Sequence, residues 1–213
     1  MALSDTITRD HRAWLVDAIL LVITTTVLLM YLVVNVPQDT LHVLRTSLDN
    51  QIPRLPIFSI SYIAFLPWLY GTLIYSFIKN RYFRQLAISF IVINLVAFVV
   101  YSTFQTYIPR DPITSHDLFS GILQFIYSHD QPYSGFPSLH SALSASIATY
   151  FVCMKSKWAW AAVVMAGLVV VSTLFTKQHF ILDAASGVGL GVLVTGGLFR
   201  IFKRKDPNYL QNN

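Results

Sequence analysis

The chain contains no glutamate; its ten acidic residues are all aspartate. It has one cysteine, Cys153, which excludes a disulfide framework within one chain and reads as a small buried hydrophobe. Charged residues make up only 12% of the 213 positions, against 54% hydrophobic ones, which excludes an ordinary soluble domain and indicates a membrane protein. No internal repeat, low-complexity tract or second domain stands out, so residues 1–213 read as one domain. The first apolar run has no small-residue cleavage site after it, so it reads as a retained span and not as a signal peptide.

What is present is a set of long apolar runs. Six approach the ~17–25 residues that a helix needs to cross a bilayer: Ala13–Val34, Pro56–Ile78, Gln85–Tyr107, Ser138–Met154, Trp158–Thr176 and Phe180–Phe202. The net charge of +5 suggests nucleic acid at first sight, but the placement of the cations points to a membrane. Arg9, Arg12, Lys79, Arg81, Arg84, Lys155, Lys157, Arg200, Lys203, Arg204 and Lys205 all fall on one side of six crossings. By the positive-inside tendency that side is cytoplasmic, as are both termini. The expected fold is therefore an all-α integral membrane protein with six transmembrane helices. Only Arg45, Arg54, Arg110 and Lys177 fall on the outer side, where a bound anion would explain them.

Two outer loops show apolar residues at helical spacing. Leu41, Leu44 and Leu48 in the first, and Leu118, Ile122, Phe125 and Ile126 in the second, predict short helices on the membrane surface. Within the spans, Gly187 and Gly191 form a small-xxx-small pair on the sixth, and Ser141, Ala145 and Thr149 recur at the same interval on the fourth; such stripes let helices pack closely. Asp17 calls for a cytoplasmic cation, and Asn94 for an interhelical hydrogen bond.

Six crossings bring three polar clusters to the outer face. Arg110-Asp111-Pro112 follows the third span, Ser138-Leu139-His140 opens the fourth, and Ser172 to Asp183 turns from the fifth to the sixth. Pro137 suits the first position of a helix, leaving the N–H groups of Ser138, Leu139 and His140 free for an anion such as phosphate. Ser138 adds a hydroxyl and His140 an ionisable group. His179 and Asp183, four apart, share a helix face. A hydrogen bond from one ring nitrogen to Asp183 would leave the other as a nucleophile, with Lys177 beside it for phosphate charge. The same pair would also serve simply to tie helices together.

These residues resemble the type-2 phosphatidic acid phosphatase superfamily, whose signatures are Lys-x6-Arg-Pro, Pro-Ser-Gly-His and Ser-Arg-x5-His-x3-Asp. The second resembles Pro137-Ser138-Leu139-His140, and the third Ser172-Thr173, five residues, His179, three residues, Asp183. The wording Phe136-Pro137-Ser138-Leu139-His140 is similar to the branch that contains inositol phosphorylceramide synthases. Two cations of the signatures are absent, with Thr103 and Thr173 in their places, and Asp111 separates Arg110 from Pro112.

The resemblance implies a metal-independent, cofactor-free lipid phosphatase acting on a phosphate monoester or pyrophosphate at the outer face of the cell membrane. It implies His179 as nucleophile, Asp183 as its orienting carboxylate and His140 as acid and base. Arg110, Ser138, the N–H of Leu139 and Lys177 would hold phosphate, with Ser172, Arg45 and Arg54 as accessories. The implied partners are the bilayer and a lipid phosphate, and no nucleic acid. Three alternatives remain open: a headgroup phosphotransferase with an alcohol acceptor, a metal site built from His140, His179 and Asp183, and a non-catalytic lipid-binding or transport scaffold.

Overall fold

The structure, a computed structural model, describes residues 11–79 and 82–205, with side chains as far as Lys203. Among these residues the regular structure is helical: α1 (His11–Leu29), α2 (Tyr31–Val34), a 3-10 turn at Pro56–Phe58, α3 (Ser59–Ile63), α4 (Phe65–Lys79), α5 (Phe83–Thr103), α6 (Leu118–His129), α7 (Leu139–Cys153), α8 (Ala159–Phe175) and α9 (Ile181–Lys205). Seven of these are long; α2 and α3 are single turns that continue α1 and precede α4.

The expectation of six transmembrane helices is not met. Four helical stretches are long and apolar enough to cross a membrane: His11–Val34, Pro56–Lys79, Phe83–Thr103 and Ile181–Lys203. The expected spans Ser138–Met154 and Trp158–Thr176 become α7 and α8, of 15 and 17 residues. The reason is local. Ser138 is an extended N-cap, Lys155 turns the chain with φ 52° after α7, and Thr176 ends α8 just before Lys177 at φ 54°. The polar residues that carry the motifs are turns and caps, and they shorten the apolar helices beside them. The expected cations Arg9 and Arg81, the side chains of Arg204 and Lys205, and both chain ends, with their expected cytoplasmic placement, lie outside the described residues.

The helix α7 is the hub, packing on α9, α8, α5 and α4. Its Ala142, Leu143, Ile147 and Tyr150 join Phe83, Leu86, Phe90, Ile93 and Tyr101 of α5 in one apolar core. Two glycines explain how closely α9 lies against it. A Cβ on Gly187 would come within 2.3 Å of the Ser138 carbonyl oxygen, and one on Gly191 within 2.1 Å of that of Ala142. The hydroxyls of Ser146 and Thr195 then meet across the same interface at 2.7 Å. The surface is apolar: Val22, Leu32, Val33, Ile78, Val99, Trp160 and Leu193 are among many large exposed hydrophobic side chains. This is the apolar, multi-helix character of a membrane-associated protein.

The helices alternate between two ends of the bundle. One end holds Asp17, paired with Arg84, and the Phe199 ring against Tyr82 and Tyr150. Asp17 thus has the cation expected for it. Asn94 donates instead within its own helix, to the Phe90 carbonyl at 2.8 Å. The other end holds the start of α7 and the connections around it. There the second loop forms α6, capped by Asp117, which accepts from the N–H groups of Phe119 and Ser120. The first loop is not helical at Leu41, Leu44 and Leu48. Its His42 forms a parallel bridge with Thr106 and stacks on Phe104, so backbone pairing with the segment after α5 takes precedence over the apolar spacing.

Candidate active site

The turn before α7 is held from three sides. The Tyr101 hydroxyl donates to the Pro137 carbonyl at 2.7 Å, and the Ser138 N–H donates to the Asp183 carbonyl at 3.0 Å. The Ser138 hydroxyl accepts from the Ser141 N–H at 3.3 Å, which caps the helix. The helix therefore opens at Leu139, two residues later than Pro137 in first position would require. Of the three N–H groups expected to be free, that of Ser138 is taken, that of Leu139 is directed at the Tyr101 hydroxyl oxygen, and that of His140 has no hydrogen bond to another loop or helix among the described residues.

His179 reaches the same place from the turn between α8 and α9. The Thr173 carbonyl accepts from the N–H groups of Gln178 and His179, at 2.9 and 3.1 Å. This wraps the chain around the end of α8 and turns His179 inward, where it is buried. The imidazole centroids of His140 and His179 lie 5.9 Å apart. His140 sits between the rings of Tyr62 and Phe65, at 4.4 and 4.7 Å, with its Nδ1 3.5 Å from the Tyr62 hydroxyl. Asp183 is fully buried, and its Oδ2 is 3.8 Å from His179 Nδ1. That is within reach of an ion pair but longer than a hydrogen bond, so the expected hydrogen bond between the two is not made. Oδ2 accepts the Phe180 N–H at 2.8 Å instead.

Arg110 enters beside them. Its guanidinium donates to the Asp130 carbonyl at 2.7 Å and to the side-chain oxygen of Gln178, and lies 4.7 Å from the centre of the Tyr127 ring. Arg110, Ser134, Gln178 and His179 line one small cavity. Each carries a buried polar atom without a hydrogen-bond partner: Arg110 Nε, Ser134 Oγ, Gln178 Nε2 and His179 Nδ1. Buried polar atoms are rarely left unpaired; His179 Nδ1 is turned to Asp183, and the other three, on residues that line one cavity, mark a place suited to a polar ligand. The Arg110 and Gln178 groups are donors, so the ligand they suit is an acceptor or an anion.

His140 faces a second, larger space. A groove of about 280 Å³ runs from His140 along Leu28, Leu66, Leu69, Phe125 and Leu143. Its lining is largely apolar, and Asp130 and Tyr31 border both this groove and the small cavity. The pair of spaces, one with unpaired donors and one apolar, matches the two halves of an amphiphile.

The other expected cations are placed differently. Lys177 donates to the carbonyls of Asp49 and Ile52, and Arg54 to those of Asp111 and Pro112 at 2.7 and 3.0 Å. Both tie loops together and neither lines the small cavity. Burial and the nearby Arg45 charge push the Lys177 ammonium below its ordinary pKa, against the attraction of Asp49 and Asp111. Arg45 thus stands in the electrostatic field of Lys177 and not at the cavity. Ser172 donates to the Val169 carbonyl within its own helix at 2.7 Å. The hydroxyls of Thr103 and Thr173 likewise bond to their own helices, so neither stands in for a cation.

Sequence reasoning missed Gln178, Asp130, Tyr62, Tyr31 and Ser134. Asp130 accepts from the hydroxyls of Tyr31 and Tyr62 and from the Asn35 amide. Gln178 adjoins His179 and carried a signal that went unused; Tyr62 is hidden in an apolar run. Among the described residues, no group of three His, Cys or Asp side chains is arranged to hold a metal ion.

An all-helical, membrane-associated scaffold with two histidines and an arginine gathered at one end is consistent with a lipid-modifying enzyme in general. Residues 104–207 match the PAP2 superfamily, and this part of the chain carries a PAP2-superfamily domain. It spans Arg110, His140, His179 and Asp183 and begins after α5. No curated protein and no solved structure matches the chain.

Proposed function

We propose that the protein is a membrane lipid phosphatase that works through a phosphohistidine. The observation that carries this reading is the cavity in which unpaired donors of Arg110, Gln178 and Ser134 surround His179, with His140 at 5.9 Å. His179 Nδ1 faces Asp183, so Nε2 is the attacking atom. Its lone pair forms the N–P bond as the P–O bond to the lipid alcohol breaks, and His140 gives its proton to the departing oxygen. His140 then takes a proton from water, which breaks the N–P bond and releases inorganic phosphate. Arg110 and the N–H group of His140 stabilise the phosphoryl oxygens throughout. Asp183 sustains the positive charge that His179 gains on attack. Ser138 contributes by fixing the helix start. Lys177, Arg54, Arg45 and Ser172 are supports of the scaffold in this account.

The apolar groove beside His140 would take the hydrocarbon of the substrate, which places the phosphate at its polar mouth. We place that mouth on the non-cytoplasmic side of a cell membrane, because Arg12, Lys79, Arg84, Lys155, Lys157, Arg200 and Lys203 belong to the opposite end of the bundle.

One observation favours a second acceptor. A single guanidinium lines the cavity, since Lys177 and Arg54 are committed to loop carbonyls. One cation balances a phosphodiester, and a dianionic monoester needs protonated His140 as well. Transfer to an alcohol, as in the branch with inositol phosphorylceramide synthases, therefore stands as the alternative. The test is a screen of purified protein against phosphatidate, phosphatidylglycerol phosphate and polyprenyl pyrophosphate, with His179→Ala as blank. Inorganic phosphate released by the wild type alone supports the phosphatase. A new phosphodiester formed only with added alcohol supports the transferase. Equal signals from wild type and blank refute both.

A further inference from the structure

At the end of the bundle away from the histidines, a separate cavity of about 490 Å³ opens between the last turns of α7 and the second half of α9. From His140 to this end α7 rises by about 20 Å at ~1.5 Å per residue, so the cavity is distinct from the candidate active site. Its floor is Gly196 and Gly197, and its sides include Val192 and Leu193. The glycines keep it open: a Cβ on Gly197 would meet nothing within 4 Å, and one on Gly196 only the Thr149 methyl at 3.9 Å. Its rim is cationic, with Lys155, Arg200 and Lys203 all lining it.

No carboxylate is available to these three cations among the described residues. Asp17 is the acidic residue described at this end, and Arg84 holds it at 2.5 Å. Beside the cavity, Trp158 and Trp160 are 56% and 68% exposed, and the Lys157 ammonium lies 5.5 Å from the Trp158 ring centre. Exposed tryptophans with flanking cations are the composition of a membrane–water interface. A cavity there with an apolar floor and a positive rim fits one kind of occupant, because basic pockets between membrane helices take acidic headgroups while their walls take an acyl chain.

We infer that this cavity is a binding site for one phospholipid with an anionic headgroup, its phosphate among Lys155, Arg200 and Lys203 and one acyl chain along Gly196 and Gly197. Bound there, the lipid joins α7 to α9, the two helices whose opposite ends carry His140 and Asp183. The site needs no assumption about the reaction.

The test is native mass spectrometry of detergent-purified protein with equal amounts of phosphatidylglycerol and phosphatidylcholine. Each basic side chain near an anionic lipid contributes roughly fivefold, so the wild type should retain one phosphatidylglycerol with at least a tenfold preference. The variant with Lys155→Gln, Arg200→Gln and Lys203→Gln should lose that preference. Gly196→Leu, which keeps the cations and fills the floor, should lose the lipid as well and guards against a fold defect in the triple variant. Arg110→Gln should keep it. Equal retention of the two lipids by the wild type overturns the proposal. So does a preference that survives in the triple variant and vanishes in Arg110→Gln, which would place the lipid among the histidines. Millimolar inorganic phosphate should not displace the lipid; displacement would show a free-phosphate site and overturn it too.

Discussion

Asp183 Oδ2 stands 3.8 Å from His179 Nδ1 and spends its hydrogen bond on the Phe180 N–H at 2.8 Å. The carboxylate therefore does two separable things: it caps the turn into α9 and it sets a negative charge beside the imidazole. Asp183→Asn keeps an oxygen for the Phe180 N–H and removes the charge. It should fold normally and lower kcat by a factor on the order of 10² or more, in the range of lost acid–base assistance. Asp183→Ala should lose the cap too, and melt at a lower temperature. Thermal melting beside kcat separates the two effects, and a normal kcat in Asp183→Asn removes Asp183 from the chemistry.

Arg110 and Gln178 form a unit, with the guanidinium donating to the amide oxygen. Lysine is a poor replacement here, since it has no planar fork of donors. Arg110→Lys should raise KM and lower kcat/KM by about tenfold or more, on the ~1.5–3 kcal/mol scale of a charged hydrogen bond. Gln178→Leu should have a smaller effect of the same kind, read from steady-state kinetics on the substrate that the screen identifies.

The contact of α7 with α9 depends on two absent side chains. Gly187→Ala and Gly191→Ala each place a methyl inside the approach distance of a backbone carbonyl. Backbone cannot rotate away as a side chain can. Each change should cost about 1–3 kcal/mol, the usual range for overpacking. Gly187→Ala should also reduce activity, because the carbonyl that it meets belongs to Ser138. Gly197→Ala, with nothing within 4 Å, should be neutral in the same melting experiment.

Asp49 tests the loop that Lys177 anchors. Burial opposes its charge, but hydrogen bonds from the Thr46 hydroxyl, the Ile181 N–H and the Thr46 N–H, with the Lys177 charge, outweigh that and hold its carboxyl below the ordinary pKa. A carboxylate whose folded pKa is depressed contributes stability above its unfolded pKa of ~3.9 and loses it as pH falls through the lower folded value. Its contribution should be constant from pH ~7 to ~5 and disappear below about pH 4. Asp49→Ala should be less stable than the wild type at neutral pH, and the difference should shrink in acid. Melting curves across that range measure it. Lys177→Met should also lower stability while leaving KM nearly unchanged, since its ammonium serves the Asp49 and Ile52 carbonyls.

The sequence shows clearly what rests on spacing and apolar length. The interval from His179 to Asp183 placed both at the turn into α9, and the runs around Asn94 and Gly191 were readable as helices. The small-residue stripes marked close helix packing, and the structure shows that their partner is each other, α7 against α9. Four of the expected spans qualify by length, and the other two do not, because Ser138, Lys155 and Thr176 act as caps and turns at the edges of apolar runs. Roles that depend on distant partners were not legible. Lys177 reads as a phosphate ligand in the sequence, whereas in the fold its ammonium donates to the carbonyls of Asp49 and Ile52, more than a hundred residues away in the chain. Asp130 and Tyr62 had no motif to mark them, yet folding joins them beside His140.

The account depends above all on His179 taking the phosphoryl group while His140 stands across from it. The most direct measurement is rapid quenching of the purified protein with a lipid carrying labelled phosphate, followed by denaturation and digestion. The account predicts label on the peptide containing His179, stable in alkali and lost in acid, absent from His179→Ala and reduced in its rate of formation in His140→Ala. Label that persists undiminished in His179→Ala, or full turnover by that variant, would contradict it.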